Sequence, residues 1–251
     1  MPIQILPVRG LPVIEDGDRL SKLICQAITN QGARIKDGDV IVVTHVVVSR
    51  SEGNVVNLHD VEPSKFAEIV ALRAGKDPAL VEVILREAQS IIRMRNGSLI
   101  TQTKHGLICA NSGVDRSNVP GENMVALLPE DADVSARRLR RNIEKETGKK
   151  VAIIISDTHG RPLRDGEINV AIGVAGLEPI RDRRGETDLF GYILKAKRTA
   201  IADELASAAE LVIGQTDEGI PAAIVRGYSY IKSEKATAKK MLRPLEKEFF
   251  L

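Results

Sequence analysis

A chain of 251 residues, 43% hydrophobic and 28% charged, is long enough to bury a core unaided and too mixed to be wholly disordered or embedded in a membrane. Its 36 Lys plus Arg against 34 Asp plus Glu leave a formal charge of +2, far from the one-sided field of a nucleic-acid coat. With no Trp, 4 Phe and 3 Tyr it offers few platforms for stacking bases, and no nucleic-acid partner is expected.

Cys25 and Cys109 are the only cysteines and neither belongs to a C-x-x-C pair. That encodes neither a disulfide framework nor a cysteine zinc site, and a reducing, cytoplasmic home is expected. The N-terminal segment lacks a basic stretch followed by a long apolar one, and no apolar run reaches the roughly 18 residues of a membrane span. Neither export nor a membrane partner is expected.

In chain order, the first element is Val40 to Val48, a near-continuous β-branched run after the turn-like Lys36 to Asp39. This is the pattern of a central strand buried on both faces. Ser64 is placed to cap a helix carrying Phe66, Ile69, Val70 and Leu72 to a stop at Gly75. Residues 79–92 read as a second helix, and Gly106 to Ala110 as a weak strand. A third helix is expected over 135–147, with Ser135 as its cap, Arg137, Arg138, Arg140 and Arg141 on its surface and Gly148 at its end. Val151 to Ile155 is the strongest strand, leaving into the polar Ser156 to Gly160. Lys197 to Leu211 carries Ile201, Leu205, Ala208 and Leu211 at helical spacing, and Ala222 to Val225 is a last strand between Gly219 and Gly227. The charged C-terminal segment is expected to pack Met241, Leu242 and Leu245 on the body. No repeat, low-complexity tract or linker separates two domains, and the softest stretches are 93–97 and 181–188.

Standard nucleotide and hydrolase signatures are missing. Gly148-Lys149 lacks the glycine of a P-loop five positions earlier, no G-x-G-x-x-G follows a strand, G-x-S-x-G is absent, and His45, His59, His105 and His159 show no H-x-x-x-H spacing. Three polar, glycine-bearing segments adjoining strands remain, where rigid elements could aim loop side chains at one site. Asn111 to Gly121 (NSGVDRSNVPG) carries a carboxylate and amides, and reads equally as a surface turn with Asx bonds. Ser156 to Pro162 (SDTHGRP) offers Asp157 beside Thr158, hard oxygen donors suited to Mg²⁺ or Mn²⁺, although a strand-end Asp is also a common cap. Gly214 to Pro221 (GQTDEGIP) has backbone amides able to cradle phosphate, and is also the pattern of a plain acidic loop. The Arg137 to Arg141 cluster and Arg181, Arg183 and Arg184 fit solvated surface first and an anionic substrate or another subunit second. His45 reads as a hydrogen-bonded core histidine, and Arg50 as either a phosphate ligand or a surface ion pair.

Taken together with Gly10 to Ile14 (GLPVI), these segments in this order and spacing, and the ending Gly219 to Gly227 (GIPAAIVRG), resemble the coenzyme F420-0:L-glutamate ligase family over nearly the full chain. The resemblance implies an α+β fold of mixed sheets with packed helices, in two intertwined subdomains of a homodimer; 1–92 plus 197–251, and 93–196, are the expected subdomains. It implies a GTP-dependent ligase that joins L-glutamate to coenzyme F420-0, usually extends a γ-linked tail, and releases GDP and phosphate, with two divalent ions, Mg²⁺ or Mn²⁺, and stimulation by K⁺. The chain is expected to be a stand-alone ligase without a fused flavin-binding domain.

Matched by position, the family's metal carboxylates fall on Asp115 and Asp157, with Thr158 and Gln215 assigned to a second metal. Its nucleotide positions fall on Leu11, Pro12, Val13, Ile14, His45, Val46, Arg50, Asn118, Ile213, Gly214, Gln215, Thr216, Asp217, Glu218, Gly219 and Ile220. Arg50, Asp115 and Asp157 are the expected catalytic groups. The chain departs from relatives that carry Glu at Gln215, Ser-Thr at His45-Val46, Lys at Arg50 and Asn at His159, so Asp115 and Asp157 are the firmest matches. A metal-dependent phosphohydrolase using the same carboxylates, and a non-enzymatic GTP-binding or scaffold protein, are the rival readings.

Overall fold

The computed structural model describes residues 2–247. In order they form β1 (Gln4–Pro7), α1 (Leu20–Asn30), β2 (Val40–Thr44), α2 (His45–Ser51), β3 (Val55–Asn57), α3 (Lys65–Ala74), α4 (Pro78–Glu87), β4 (Ala88–Arg95), β5 (Ser98–Thr103), β6 (Ile108–Ala110) and β7 (Met124–Ala126). The second half supplies α5 (Ala132–Thr147), β8 (Ala152–Arg161), β9 (Arg164–Leu177), β10 (Ile180–Asp182), β11 (Arg198–Ala200), α6 (Ile201–Ile213), β12 (Ala222–Arg226) and β13 (Lys232–Ser233).

The fold is α+β. A mixed sheet runs β1-β12-β2-β8-β9-β13, with β3-β7, β4-β5-β6 and β10-β11 as smaller sheets. Within the large sheet only β2 and β8 are parallel. Its central strands alternate between two cores, as a pleated strand buried on both faces must. Ile41, Val43, Ile153, Ile155 and Ile224 join Ile24 and Ile28 of α1 and Leu139 and Ile143 of α5 on one face. Val42, Ile154, Ala223 and Val225 join Leu205, Ala206 and Ala209 of α6 on the other. Ile153, Ile154 and Ile155 are fully buried, each stabilising the fold by roughly 1.5–3 kcal/mol before entropy is counted. A third core gathers Val70 of α3, Val81 and Ile84 of α4, Leu99 of β5 and Val125 of β7.

Several expectations hold at the level of single residues. The Ser64 side chain accepts the Ala67 amide, and Gly75 and Gly148 end α3 and α5 in the left-handed region. Others need correction. The run Val40 to Val48 is not one strand: pairing ends at Thr44 and α2 begins at His45. Val46, Val47 and Val48 are buried, and a short element covered on all sides has no hydrophobic period to distinguish helix from strand. The helix expected over 79–92 starts at Pro78, capped by Asp77, and gives way at Ala88 to a strand paired with β5. Asp131 caps α5 through the Val134 amide, and Ser135 lies buried inside the helix. Residues 198–200 form a strand before α6 begins at Ile201. Ser156 to Gly160 is no loop but part of β8, paired along β9.

Met241 packs against the α6-side core, whereas the Leu245 side chain lies outside what is described. Within the arginine clusters, Arg138 pairs with Glu52, Arg140 with Glu234 and Glu144, Arg183 with Glu186, and Arg184 with Asp182.

Candidate active site

Four sequence-distant segments meet at one edge of the large sheet because of its strand directions. β2 and β8 are parallel, with Thr44 opposite Ser156, so His45 and Asp157 each follow a paired position. β12 and β2 are antiparallel, which brings the start of β12 to the same edge, where the Thr44 amide donates to the Pro221 carbonyl at 2.9 Å. β1 pairs Pro7 with Ala223, delivering the segment Leu11 to Ile14. The carboxyl ends of neighbouring parallel strands are where open sheets place ligands.

Asp157 is buried at 8% exposure. Its Oδ1 lies 3.2 Å from His45 Nε2 and accepts the Thr158 amide at 2.8 Å, while Oδ2 lies 3.0 Å from His159 Nε2. Burial pushes the carboxyl up, but the field of His45 and the hydrogen bonds from both imidazoles outweigh it and hold Asp157 well below the usual carboxylate range. Burial likewise opposes charge on His45, and the Asp157 field overrides it, raising the imidazole above its ordinary value, with Asp115 adding to the effect. His45 is thus both the hydrogen-bonded core histidine read from sequence and a wall of the site.

The neighbouring Thr158 points to the other face of the sheet. Its Oγ1 lies 2.7 Å from Asn169 Oδ1 on β9 and 3.2 Å from Gln215 Oε1. The Gln215 amide is oriented by Glu210 of α6, whose Oε1 accepts from Nε2 at 2.7 Å. Just before it the chain turns at Gly214 (φ +76), where an added Cβ would collide with the Glu218 carboxylate. That carboxylate accepts the Thr216 amide at 2.8 Å, and the loop amides, led by that of Glu218 itself, hold it below its ordinary pKa. The loop is an anion nest with a carboxylate already in it.

Asp115 arrives from a smaller lobe, the part of the chain built on the third core of α3, α4, β5 and β7, and is fixed by reciprocal backbone bonds with Ala126. Its carboxylate accepts the Ser117 amide at 2.7 Å and the Ser117 hydroxyl at 2.9 Å. Asn111, Ser112 and Asn118, flanking Asp115, all have positive φ, and such strain concentrates where a loop is held for function. Arg50 of α2 donates from Nη1 to the Asn118 carbonyl at 3.1 Å, tying lobe to sheet. Burial lowers its pKa, partly offset by Glu15, and the guanidinium remains cationic.

These segments enclose a cavity of about 270 Å³. Of the positions expected from sequence, Leu11, Pro12, Val13, Ile14, His45, Val46, Arg50, Asp115, Asn118, Asp157, Thr158, Ile213, Gly214, Gln215, Thr216, Glu218, Gly219 and Ile220 line it, whereas Asp217 does not. Ser117, Ser156 and Pro221, inside the polar segments read from sequence, also line it, as do Thr44, Val47 and Asn169, which went unrecognised. Asn169 had no signal, because the strand carrying it was not identified. A larger cavity of about 460 Å³ between α5, the β5-β6 turn and the C-terminal segment contains none of the expected residues.

Among the described residues, no three His, Cys, Asp or Glu side chains converge as a metal-binding group. A cation here would therefore rest on the two carboxylates with neutral oxygens and ligand phosphate, the hard-donor environment that Mg²⁺ and Mn²⁺ accept. The oxygen set of Asp115, Asp157, Thr158 and Gln215 fits that requirement.

A family model described as F420-0:Gamma-glutamyl ligase matches residues 10–227. Similar curated proteins are named Coenzyme F420:L-glutamate ligase. The one from Methanothermobacter thermautotrophicus is 46% identical over 252 residues, covering 100% of this chain and 99% of its own. The Methanopyrus kandleri protein is 49% identical over 225 residues, with 90% and 87% covered. The Archaeoglobus fulgidus protein is 40% identical over 227 residues, with 90% and 88% covered.

Proposed function

The chain belongs to the F420-0:gamma-glutamyl ligase family, and from that premise we propose that it joins L-glutamate to coenzyme F420-0 and extends a γ-linked glutamyl tail at the expense of GTP. The observation carrying this reading is the convergence of Asp115, Asp157 and Arg50 with the 213–220 anion nest around one cavity. A carboxylate is a poor acylating agent. Its oxygen attacks the GTP γ-phosphorus, GDP leaves, and an acyl phosphate forms; the glutamate amine then attacks the acyl carbon, loses a proton and expels inorganic phosphate.

The chain's own groups match those demands. The loop amides now facing Glu218 would receive nucleotide phosphate. Arg50 supplies fixed positive charge to the transferring phosphoryl group. The apolar stretch Leu11 to Ile14 walls the cavity and helps keep water from the acyl phosphate. Asp115, Asp157, Thr158 and Gln215 would hold divalent ions, which when bound neutralise phosphate charge, and K⁺ is expected to stimulate. We also propose a homodimer, supported by the family resemblance and by Leu189 and Phe190, each 95% exposed in the segment joining β10 and β11. A cytoplasmic setting suits the two free thiols, and no helix among the described residues is long and apolar enough to cross a membrane.

Incubation with GTP, Mn²⁺, F420-0 and glutamate tests the activity. A heavier glutamylated product by mass spectrometry, with phosphate release requiring both F420-0 and glutamate, is expected. Phosphate release indifferent to both would make the protein a phosphohydrolase, and GTP binding without turnover under any metal would make it a binding protein.

A further inference from the structure

Three side-chain oxygens crowd together beneath the nest. Thr158 Oγ1 sits 2.7 Å from Asn169 Oδ1 and 3.2 Å from Gln215 Oε1. One hydroxyl hydrogen cannot satisfy two acceptors, so the cluster is short of positive charge. The shortage is enforced, because Glu210 accepts from Gln215 Nε2 at 2.7 Å and keeps the carbonyl end toward Thr158. The backbone beside this oxygen is held in place: Asn169 is 1% exposed, and its main-chain carbonyl accepts the Ser207 hydroxyl at 2.7 Å. Adjacent oxygens around a small octahedral cation bound at about 2.1 Å stand roughly 3 Å apart, and the two separations here bracket that spacing.

We propose that Asn169 supplies an oxygen ligand to the divalent-cation subsite of Thr158 and Gln215, and that Glu210 is its positioning residue, acting through the Gln215 amide. The inference rests on the reading of this cavity as a divalent-metal site and adds two residues to it. With no third carboxylate or imidazole available, neutral oxygens must complete the coordination, and Asn169 is the one already at ligand spacing. Glu210 plays the outer part that fixes which end of an amide faces a metal.

Free Mn²⁺ followed by electron paramagnetic resonance during titration of the full chain in saturating GDP, which supplies the ligand phosphate, tests this without turnover. Asn169→Ala is expected to weaken one class of Mn²⁺ site about tenfold, and Glu210→Ala to weaken the same class by a similar factor. Asn169→Asp is expected to tighten it, since a carboxylate replaces a neutral oxygen. Opposite signs for Asn169→Asp and Asn169→Ala separate a ligand from a structural strand residue, whose replacement would weaken binding in both. If Asp157→Asn weakens Mn²⁺ binding while both Asn169 variants bind as the parent does, the inference is overturned and the metal reading survives. If the parent binds no Mn²⁺, or Asp157→Asn binds it unchanged, both are overturned.

Discussion

His45 and Asp157 meet, Nε2 to Oδ1 at 3.2 Å, because each stands one residue beyond Thr44 and Ser156, which face each other in parallel strands. The register of two buried strands thus sets a contact between residues over a hundred positions apart. Asp157→Asn keeps the volume and removes the charge facing two imidazoles. Circular dichroism should show a folded protein, and metal-dependent turnover should fall on the order of 10²-fold or more, by analogy with removal of a key electrostatic group. Asp115→Asn should act in the same direction. A folded Asp157→Asn protein with near-normal turnover at every Mn²⁺ concentration would refute the role assigned to it.

Glu218 occupies amides that a phosphate would need. Glu218→Ala should therefore tighten GDP binding several-fold in calorimetry, since the ligand no longer displaces a carboxylate and no longer meets its charge. Weaker binding would show that Glu218 holds the loop in shape instead.

Asp39, 1% exposed, receives two bonds from Arg226, Nε to Oδ1 at 2.8 Å and Nη2 to Oδ2 at 2.7 Å. Arg226→Met leaves that carboxylate buried without its cation. A loss of about 3 kcal/mol in urea unfolding is expected, the lower end for a broken buried pair because the Arg226 side chain is 18% exposed. A change below about 0.5 kcal/mol, the size of an ordinary surface substitution, would contradict this.

Both thiols should be unreactive in the folded chain. Burial, then the Glu146 carboxylate, pushes Cys25 up to about 12, and burial, then the Asp157 field, does the same to Cys109. At pH 8 the thiolate fraction is lowered on the order of 10³-fold relative to a free cysteine. Iodoacetamide at that pH should label neither thiol on the timescale at which it labels both in urea, as read by intact mass. Rapid labelling of Cys109 in the folded state would mean that the lobe opens readily from the sheet.

The buried strands were legible because an isoleucine or valine run covered on both faces leaves a continuous apolar word in the sequence. The same continuity hid the switch to α2, since Val46 to Val48 are buried as a helix without leaving a stripe. β9 escaped for the opposite reason. Its first residues, Arg164 to Glu167, are polar and exposed, and its buried half contains Gly173, where a Cβ would collide with the Ala132 carbonyl. That close approach of α5 demands a glycine, which reads locally as a break. With β9 went Asn169. α1 was missed although Leu20, Ile24, Ala27 and Ile28 are buried at helical spacing. Asp115 and Asp157 were located by family likeness; their polar surroundings alone did not separate them from turn residues.

The placing of β12 between β1 and β2 has a consequence for how the protein is made. The first two strands of the sheet leave the ribosome early, but the strand that joins them is encoded near the far end of the chain. Until it emerges, both strands present unpaired edges, which invite other extended segments. Contacts between such distant parts of a chain also form slowly. The nascent chain should therefore depend on chaperones late in synthesis, and chains stopped before Ala222 should aggregate even though the lobe built on α3 and α4 is already encoded in full.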